Sequence, residues 1–320
     1  MQRHSPDRAG MATLAVTEGG SNGPVVCTMA RVTKPWRVTR LGRDGATRTR
    51  ADVLAGEEPL EVRIGDRPFT VTMRTPGNDF ELVAGFLVSE GVVVDREQIA
   101  SMDYRSGIDA TGQRDYNVVG VRLAAGVPLP DVSLERHVYT SSSCGVCGTA
   151  SIEAVRKTSP YAVAQDSLTV PLEVLLGLPE RLRAGQSVFD RTGGVHAAGL
   201  FVEGELVCLR EDVGRHNAVD KVVGWALLEG RLPVRGAVLQ VSGRASFELV
   251  QKAAMAGIPV LSAVSAPSAL AVELGDELGV TVVGFNRGES LNVYTRPDRL
   301  GSASIGMPGT GTAEQEGRRA

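Results

Sequence analysis

The sequence predicts an α/β protein, with a largely parallel sheet covered by helices on both faces and a smaller β-rich part before it. Three observations carry this. From residue 200 onward, short apolar runs alternate with amphipathic stretches of helical length, the pattern of right-handed strand–helix–strand crossovers. Between residues 61 and 140 the apolar period is closer to two, as in half-buried strands. The length of 320 residues gives about two domains at ~150 residues each, with ample material for a core.

Taken in order, residues 1–25 and 301–320 are rich in Gly, Ser, Thr and charge without an apolar period, so both ends read as unstructured. Residues 31–50 carry Arg31, Lys34, Arg37, Arg40, Arg43, Arg48 and Arg50 against Asp44 alone. Their threefold spacing fits either a phosphate-tracking stripe or a solvated, partly extended arm, and residues 1–50 are set apart as a disordered basic arm. Val62, Ile64, Phe69, Val71 and Met73 alternate about Gly65-Asp66, which signals a hairpin. Asn78 and Asp79 cap a helix that carries Phe80, Val83, Ala84 and Leu87 on one face and stops at Gly91. Residues 117–140 return to strand-like alternation, followed by a loop with Cys144 and Cys147 and a helix reaching about Lys157. The β-rich part is therefore 51–140 and the larger α/β part 141–300.

In the second part, residues 200–213 read as a hairpin about Glu203-Gly204, and Asn217 caps a helix through Val219, Val222, Val223 and Ala226 that ends at Gly230. Residues 237–241 form a strand. Residues 245–256 form a helix supported by a Glu248–Lys252 pair one turn apart. Strands at 258–264, 280–285 and 291–294 and a helix at 267–274, started by Ser265, complete the chain. In such sheets ligands sit beyond the carboxyl ends of the strands. The loops to watch are 242–244, 265–268 and 286–290.

Composition narrows the function. Hydrophobic residues at 42% and charged residues at 22% exclude wholesale disorder. A balance of 34 Lys+Arg against 37 Asp+Glu is too near neutral for a whole-surface nucleic-acid or membrane binder. Four cysteines cannot build a dense disulfide framework, so the chain reads as cytoplasmic and reduced. The 38 Gly and 16 Pro exceed the average share of roughly 12%, while aromatics are only 4%. Backbone groups are thus favoured over stacked rings as ligand contacts. No apolar run near the start fits a signal peptide. The uncharged stretch between Lys252 and Glu273 approaches the ~20 residues of a membrane span, but Pro259, Pro267 and its serines make it strand, turn and short helix.

Ser141-Ser142-Ser143-Cys144-Gly145-Val146-Cys147-Gly148 is the sharpest local feature. Two thiols three residues apart, flanked by Gly and leading into a helix, sit where backbone N–H groups and the helix dipole favour thiolate. Such a thiolate can attack a disulfide or a persulfide, and the second thiol can resolve the product. A zinc site is the competing reading, with Cys27 and Cys208 isolated as further ligands; a purely structural pair is another. His196, in Gly193-Gly194-Val195-His196-Ala197-Ala198, stands like the His of the deaminase H-x-E motif, but Ala198 holds the place of the glutamate. It reads equally as a hydrogen-bonded structural residue. In Glu211-Asp212-Val213-Gly214-Arg215-His216-Asn217, Gly214 permits a tight turn and Arg215 at a helix start suits an anion, or the acids and Arg215 form a structural salt bridge. Ser242-Gly243-Arg244 repeats that arrangement, and Phe285-Asn286-Arg287-Gly288-Glu289-Ser290 adds a third Arg after another strand. On one sheet edge the three make a pocket for a large phosphate-bearing, nucleotide-like ligand.

Together with Arg74-Thr75-Pro76-Gly77-Asn78-Asp79 and Ala218-Val219-Asp220-Lys221, these motifs resemble the formate dehydrogenase accessory sulfurtransferase (FdhD) family over residues 59–297. The resemblance implies a cytidine-deaminase-like three-layer α/β domain with a smaller β-rich domain, and a cytoplasmic homodimer. It implies that sulfane sulfur is taken from a cysteine desulfurase and passed to the molybdenum bis-molybdopterin guanine dinucleotide needed by formate dehydrogenase, a bound substrate and not a resident metal. It places the persulfide on Cys144 with Cys147 as helper. It places cofactor contacts on Phe285, Asn286, Arg287, Gly288, Glu289 and Ser290; His196, Gly214, Arg215, Ser242, Gly243 and Arg244 are the further candidates. The alternatives are a zinc-dependent nucleobase deaminase-like module and a non-catalytic molybdenum-cofactor chaperone. Neither nucleic acid nor membrane is expected as a partner.

Overall fold

The computed structural model describes residues 29–105, 107–108, 114–129, 139–140 and 159–301. Residues 1–28, the thiol loop with Cys144 and Cys147, the helix expected to reach Lys157, and residues 302–320 lie outside the described residues.

A short helix, α1 (Met29–Val32), leads into an antiparallel ribbon of β1 (Thr33–Leu41) and β2 (Thr47–Ala55). Residues 33–41 and 47–50, read above as part of a disordered arm, are therefore paired strand. Pairing runs unbroken from Thr33↔Ala55 to Leu41↔Thr47, and Gly45 turns the chain at φ 79°. The arginines obscure an alternation of period two in Thr47-Arg48-Thr49-Arg50, which a charge count does not register.

Next come β3 (Glu58–Ile64) and β4 (Arg67–Arg74), the expected hairpin, with Gly65 at φ 62°. Helix α2 (Asp79–Ser89) follows, burying Leu82, Val83, Ala84, Leu87 and Val88. Strands β5 (Ile99–Tyr104), β8 (Val118–Leu123) and β9 (Tyr139–Thr140) complete a sheet of order β5-β8-β3-β4-β9. The two-residue strands β6 (Gly107–Ile108) and β7 (Arg114–Asp115) pair only with each other.

The second half opens with β10 (Val170–Pro171), α3 (Leu172–Ala184) and α4 (Ser187–Thr192). Gly177 and Pro179 conceal α3 from a propensity reading, although Leu175, Leu178 and Leu182 line one buried face. A six-stranded sheet of order β12-β11-β13-β14-β15-β16 follows. Its strands are β11 (His196–Val202), β12 (Glu205–Asp212), β13 (Ala237–Val241), β14 (Val260–Ala263), β15 (Thr281–Gly284) and β16 (Asn292–Val293). Between them lie α5 (Arg215–Leu228), α6 (Phe247–Met255) and α7 (Ala269–Leu278). The final strand β17 (Leu300–Gly301) pairs with β10.

The sheet is mixed and not largely parallel: β13, β14 and β15 run together, while β12, β11 and β16 join by antiparallel pairing. The cause is local. Glu203 and Gly204 take φ 52° and 79°, a two-residue turn that joins only antiparallel neighbours. Helix α3 packs on one face through Leu175, Leu178 and Leu182 against Phe201, Val238, Val260 and Val283. The opposite face packs on α5, α6 and α7, in a core that continues without a break into Leu60, Val62 and Val119 of the first sheet.

Helices α2 and α5 join the halves, crossing where Gly85 meets Gly224. A Cβ on Gly85 would lie 1.8 Å from the Asp220 carbonyl oxygen, and one on Gly224 1.7 Å from that of Glu81. Beside this crossing, buried Lys252 donates to both Asp220 carboxylate oxygens at 2.7 and 2.8 Å, and Ser89 donates to Asp220 at 2.7 Å. The expected Glu248–Lys252 pair is thus replaced, because a buried ammonium needs a buried counter-charge. Among the described residues no helix is long and apolar enough to cross a membrane; residues 252–273 are the end of α6, β14 and the start of α7.

Candidate functional site

The site is built around the turn from β12 into α5. Asp212 is completely buried and its carboxylate is matched on every side. It lies 2.7 Å from Lys221 Nζ and accepts from the backbone N–H groups of Thr75 (3.0 Å) and Gly214 (2.8 Å) and from Asn217 Nδ2 (3.1 Å). Lys221 also donates to the Thr75 carbonyl at 2.9 Å, and Val213 N–H to Thr75 Oγ1 at 3.1 Å. A buried ion pair holds only when its remaining hydrogen-bonding capacity is satisfied, so this network fixes the turn and binds it to the loop after β4. Gly214, not Asn217, is the helix N-cap. Asn217 lies within the first turn and donates to the Met73 carbonyl at 2.7 Å.

The expected salt bridge from Glu211 or Asp212 to Arg215 does not form. Glu211 accepts from Val188 and Phe189 N–H, both at 2.8 Å, and so caps α4. Arg215 Nε is buried with no hydrogen-bond partner among the described residues. Its neighbours are His196, at the start of β11 and in register with Asp212, and Gly243, at the end of β13. A Cβ on Gly243 would lie 3.6 Å from His196 Nδ1 and 3.7 Å from Arg215 Cδ, so the three residues surround one point. Ser242 holds its loop to β11: its Oγ accepts from Ala197 N–H at 2.9 Å and its N–H donates to the Ala197 carbonyl at 3.0 Å. Burial, then the positive charges of Arg215 and His216, push the His196 pKa below 6.5, against a smaller opposing pull from Asp212. The imidazole is therefore neutral at pH 7.

The remaining loops are laced to this point by backbone. Ser265 N–H donates to the Gly243 carbonyl at 3.3 Å, and Phe285 N–H to the Ser265 carbonyl at 3.2 Å. Phe285 takes φ 52°, a conformation rare for a bulky residue, and its ring stays partly exposed. The Arg287 guanidinium lies 5.6 Å from that ring's centre while Nε donates to the Val264 carbonyl at 3.2 Å. Gly288 at φ 89° lets Arg287 N–H reach the Ser290 carbonyl at 3.2 Å. Arg244, Arg287, Gly288, Glu289 and Ser290 face solvent. Asn286 departs from the rest: it is completely buried, donating to the Leu175 carbonyl at 2.7 Å and to Ser262 Oγ at 3.0 Å. Its side chain faces the scaffold, with Oδ1 left without a partner among the described residues.

Cys144, Cys147 and Cys27 lie outside the described residues. Cys208 is buried in β12, and burial pushes its thiol up to about 12, so it stays protonated and is no nucleophile. The chain enters the thiol segment from a defined place. Thr140 pairs with Thr72, running parallel to β4 towards Thr75, and Thr72 Oγ1 donates to Asn217 Oδ1 at 3.4 Å.

Residues 55–301 match the FdhD/NarQ family. The chain belongs to that family. Among FdhD/NarQ relatives named Sulfur carrier protein FdhD, that of Streptomyces coelicolor is 58% identical over 282 residues, covering 87% of this chain and 100% of the relative. That of Mycobacterium tuberculosis is 56% identical over 276 residues, covering 85% and 100%. The more distant Sulfolobus acidocaldarius relative is 41% identical over 259 residues, covering 81% and 95%. The crystal structure of a formate dehydrogenase accessory protein from Desulfotalea psychrophila superposes with a TM-score of 0.61 at 24% identity, covering 84% of this chain and 99% of that one.

Two parts of this FdhD/NarQ site escape a reading of the sequence. The Asp212–Lys221–Thr75 network joins residues far apart in the chain. Its signal was the pair Asp220-Lys221 inside the apolar run Ala218-Val219…Val222-Val223, where charges must find buried partners. The inward turn of Asn286 has no sequence signal.

Proposed function

We propose that this protein is a sulfur carrier and sulfurtransferase that serves a formate dehydrogenase. The Cys144 thiolate attacks the outer sulfur of a persulfide on a cysteine desulfurase. A new S–S bond forms at Cys144, the donor S–S bond breaks, and the donor cysteine leaves as thiolate. The Cys147 thiolate then attacks the inner sulfur of the Cys144 persulfide: a Cys144–Cys147 disulfide forms, the outer S–S bond breaks, and the outer sulfur leaves as hydrosulfide for a bis-molybdopterin guanine dinucleotide substrate at the sheet edge, the disulfide being reduced by an external dithiol before the next cycle. Arg215, Arg244, Arg287 and backbone N–H groups of the first turn of α5 suit its phosphates; each Arg–phosphate contact contributes roughly 1.5–3 kcal/mol. Neutral His196 offers one donor and one acceptor beside them.

The observation that carries this reading is the orphaned Arg215 Nε beside Gly243 and His196, on a sheet edge next to the strand that leads to Cys144. Membership of a family whose members are named as sulfur carriers supports it. The test is mass spectrometry of the purified protein after incubation with a cysteine desulfurase and cysteine. The peptide holding Cys144 is expected to gain one sulfur mass, reversibly with dithiothreitol. Cys144→Ala is expected to keep the native melting temperature, lose the adduct and leave formate dehydrogenase inactive in a deletion host. Full rescue by that variant refutes the assignment.

A further inference from the structure

We propose that the β1–β2 ribbon is a docking arm for an acidic face of the acceptor formate dehydrogenase, holding that enzyme over the edge formed by His196, Arg215 and Gly243. The inference rests on the carrier role above.

The first ground is exposure. The ribbon is nine residue pairs long, and Trp36 and Leu41 are 63% and 73% exposed. A two-stranded ribbon is only marginally stable alone, and an exposed Trp among arginines has the composition of an interface centre. An open groove lies along it between Trp36, Arg37 and Arg50.

The second ground is charge. Segment 29–55 holds seven basic residues against Asp44 and Asp52, so the rest of a chain of net −3 carries −8. The register sets Arg40 directly opposite Arg48, a like-charge pair that opposes the ribbon's own pairing. Lys34, Arg40, Arg48 and Arg50 share one face with Trp36. Among the described residues, Arg37, Arg40, Arg43 and Arg48 meet no carboxylate. A carboxylate-rich protein surface supplies what these residues lack. A nucleic acid fits less well, because a polyanion running past the ribbon meets the acidic remainder.

The third ground is position. Ala55 Cβ lies 3.4 Å from where a Cβ on Gly194 would be, two residues before His196. Arg191 donates to Thr33 Oγ1 at 3.2 Å. A body gripped by the ribbon is thereby held beside the edge where the substrate would pass across.

The test measures binding of the full-length protein to the purified apo form of its formate dehydrogenase by biolayer interferometry, at low and high salt. The variants are Trp36→Ala and the double Arg40→Glu/Arg48→Glu. All the altered side chains are exposed, so thermal melts should match wild type. The double reversal is expected to weaken binding about tenfold or more, chiefly in the association rate, and to remove most of its salt dependence. Trp36→Ala is expected to weaken it roughly 30-fold. Persulfide loading of Cys144 by the desulfurase should be unchanged in both. If wild type itself fails to load, the carrier reading fails instead. Unchanged apo-enzyme binding in both variants, or absent wild-type binding with normal loading, overturns the inference. Loss of loading in the variants also overturns it, assigning the ribbon to the donor, and so does tighter binding to single-stranded DNA than to the apo-enzyme.

Discussion

His196 is half-buried near Arg215, and burial first, then the neighbouring charge, hold its pKa below 6.5 and its ring neutral. That has a signed consequence for binding. A diphosphate seated beside Arg215 brings negative charge to the ring and raises its pKa, so binding takes up a proton in the window below pH 6.5. Affinity for guanosine diphosphate, followed by calorimetry, should therefore increase as pH falls from 6.5 and level off once the free protein is itself protonated. His196→Gln should remove that slope while leaving affinity at pH 8 nearly unchanged. A slope that persists in the variant places the proton elsewhere. Stability runs the other way: with the folded pKa below the unfolded one, it is complete above 6.5 and declines as pH drops through the window. His216 has its own role, pairing with Glu248 at 2.5 Å and drawing that carboxyl below its ordinary range.

At the scale of elements, the α2–α5 crossing is the joint most sensitive to substitution. Gly224→Ala must push the helices apart, because its Cβ would occupy the position of the Glu81 carbonyl. A loss of ~1–3 kcal/mol follows from overpacking of this kind, read as a lower midpoint in urea. Gly177→Ala in α3 is the control: nothing lies within 4 Å of its new methyl, and a helical Gly→Ala exchange gains ~0.5–1 kcal/mol. Elements with a clean period and a stop were legible in the sequence, including the hairpin about Gly65, helix α2 and strand β13. Those that depend on partners were not. Strand β2 is concealed by its arginines and α3 by Pro179, whereas the hairpin about Glu203-Gly204 was legible but not the antiparallel pairing of β11 with β13. The same division holds at the site. The sheet-edge loops at Gly214, Ser242 and Phe285 could be placed from strand ends, because their position follows from topology. The inward rotation of Asn286 depends on Leu175 and Ser262, which no local pattern connects to it.

At the scale of the molecule, residues before and after the thiol segment belong to one body. Tyr161 Oη donates to the Val94 carbonyl and Ser159 Oγ to that of Ala254, both at 2.7 Å, and one core runs through both sheets. Two co-expressed chains, 1–140 and 159–320, should therefore co-purify and melt in a single transition. Recovery of two independently soluble pieces would contradict a shared core. The crossing at Gly85 and Gly224 has one more consequence: where those two helices touch, both sheets share a single wall, so the cleft lined by His196, Arg215 and Gly243 keeps its shape and cannot widen by one sheet swinging away from the other.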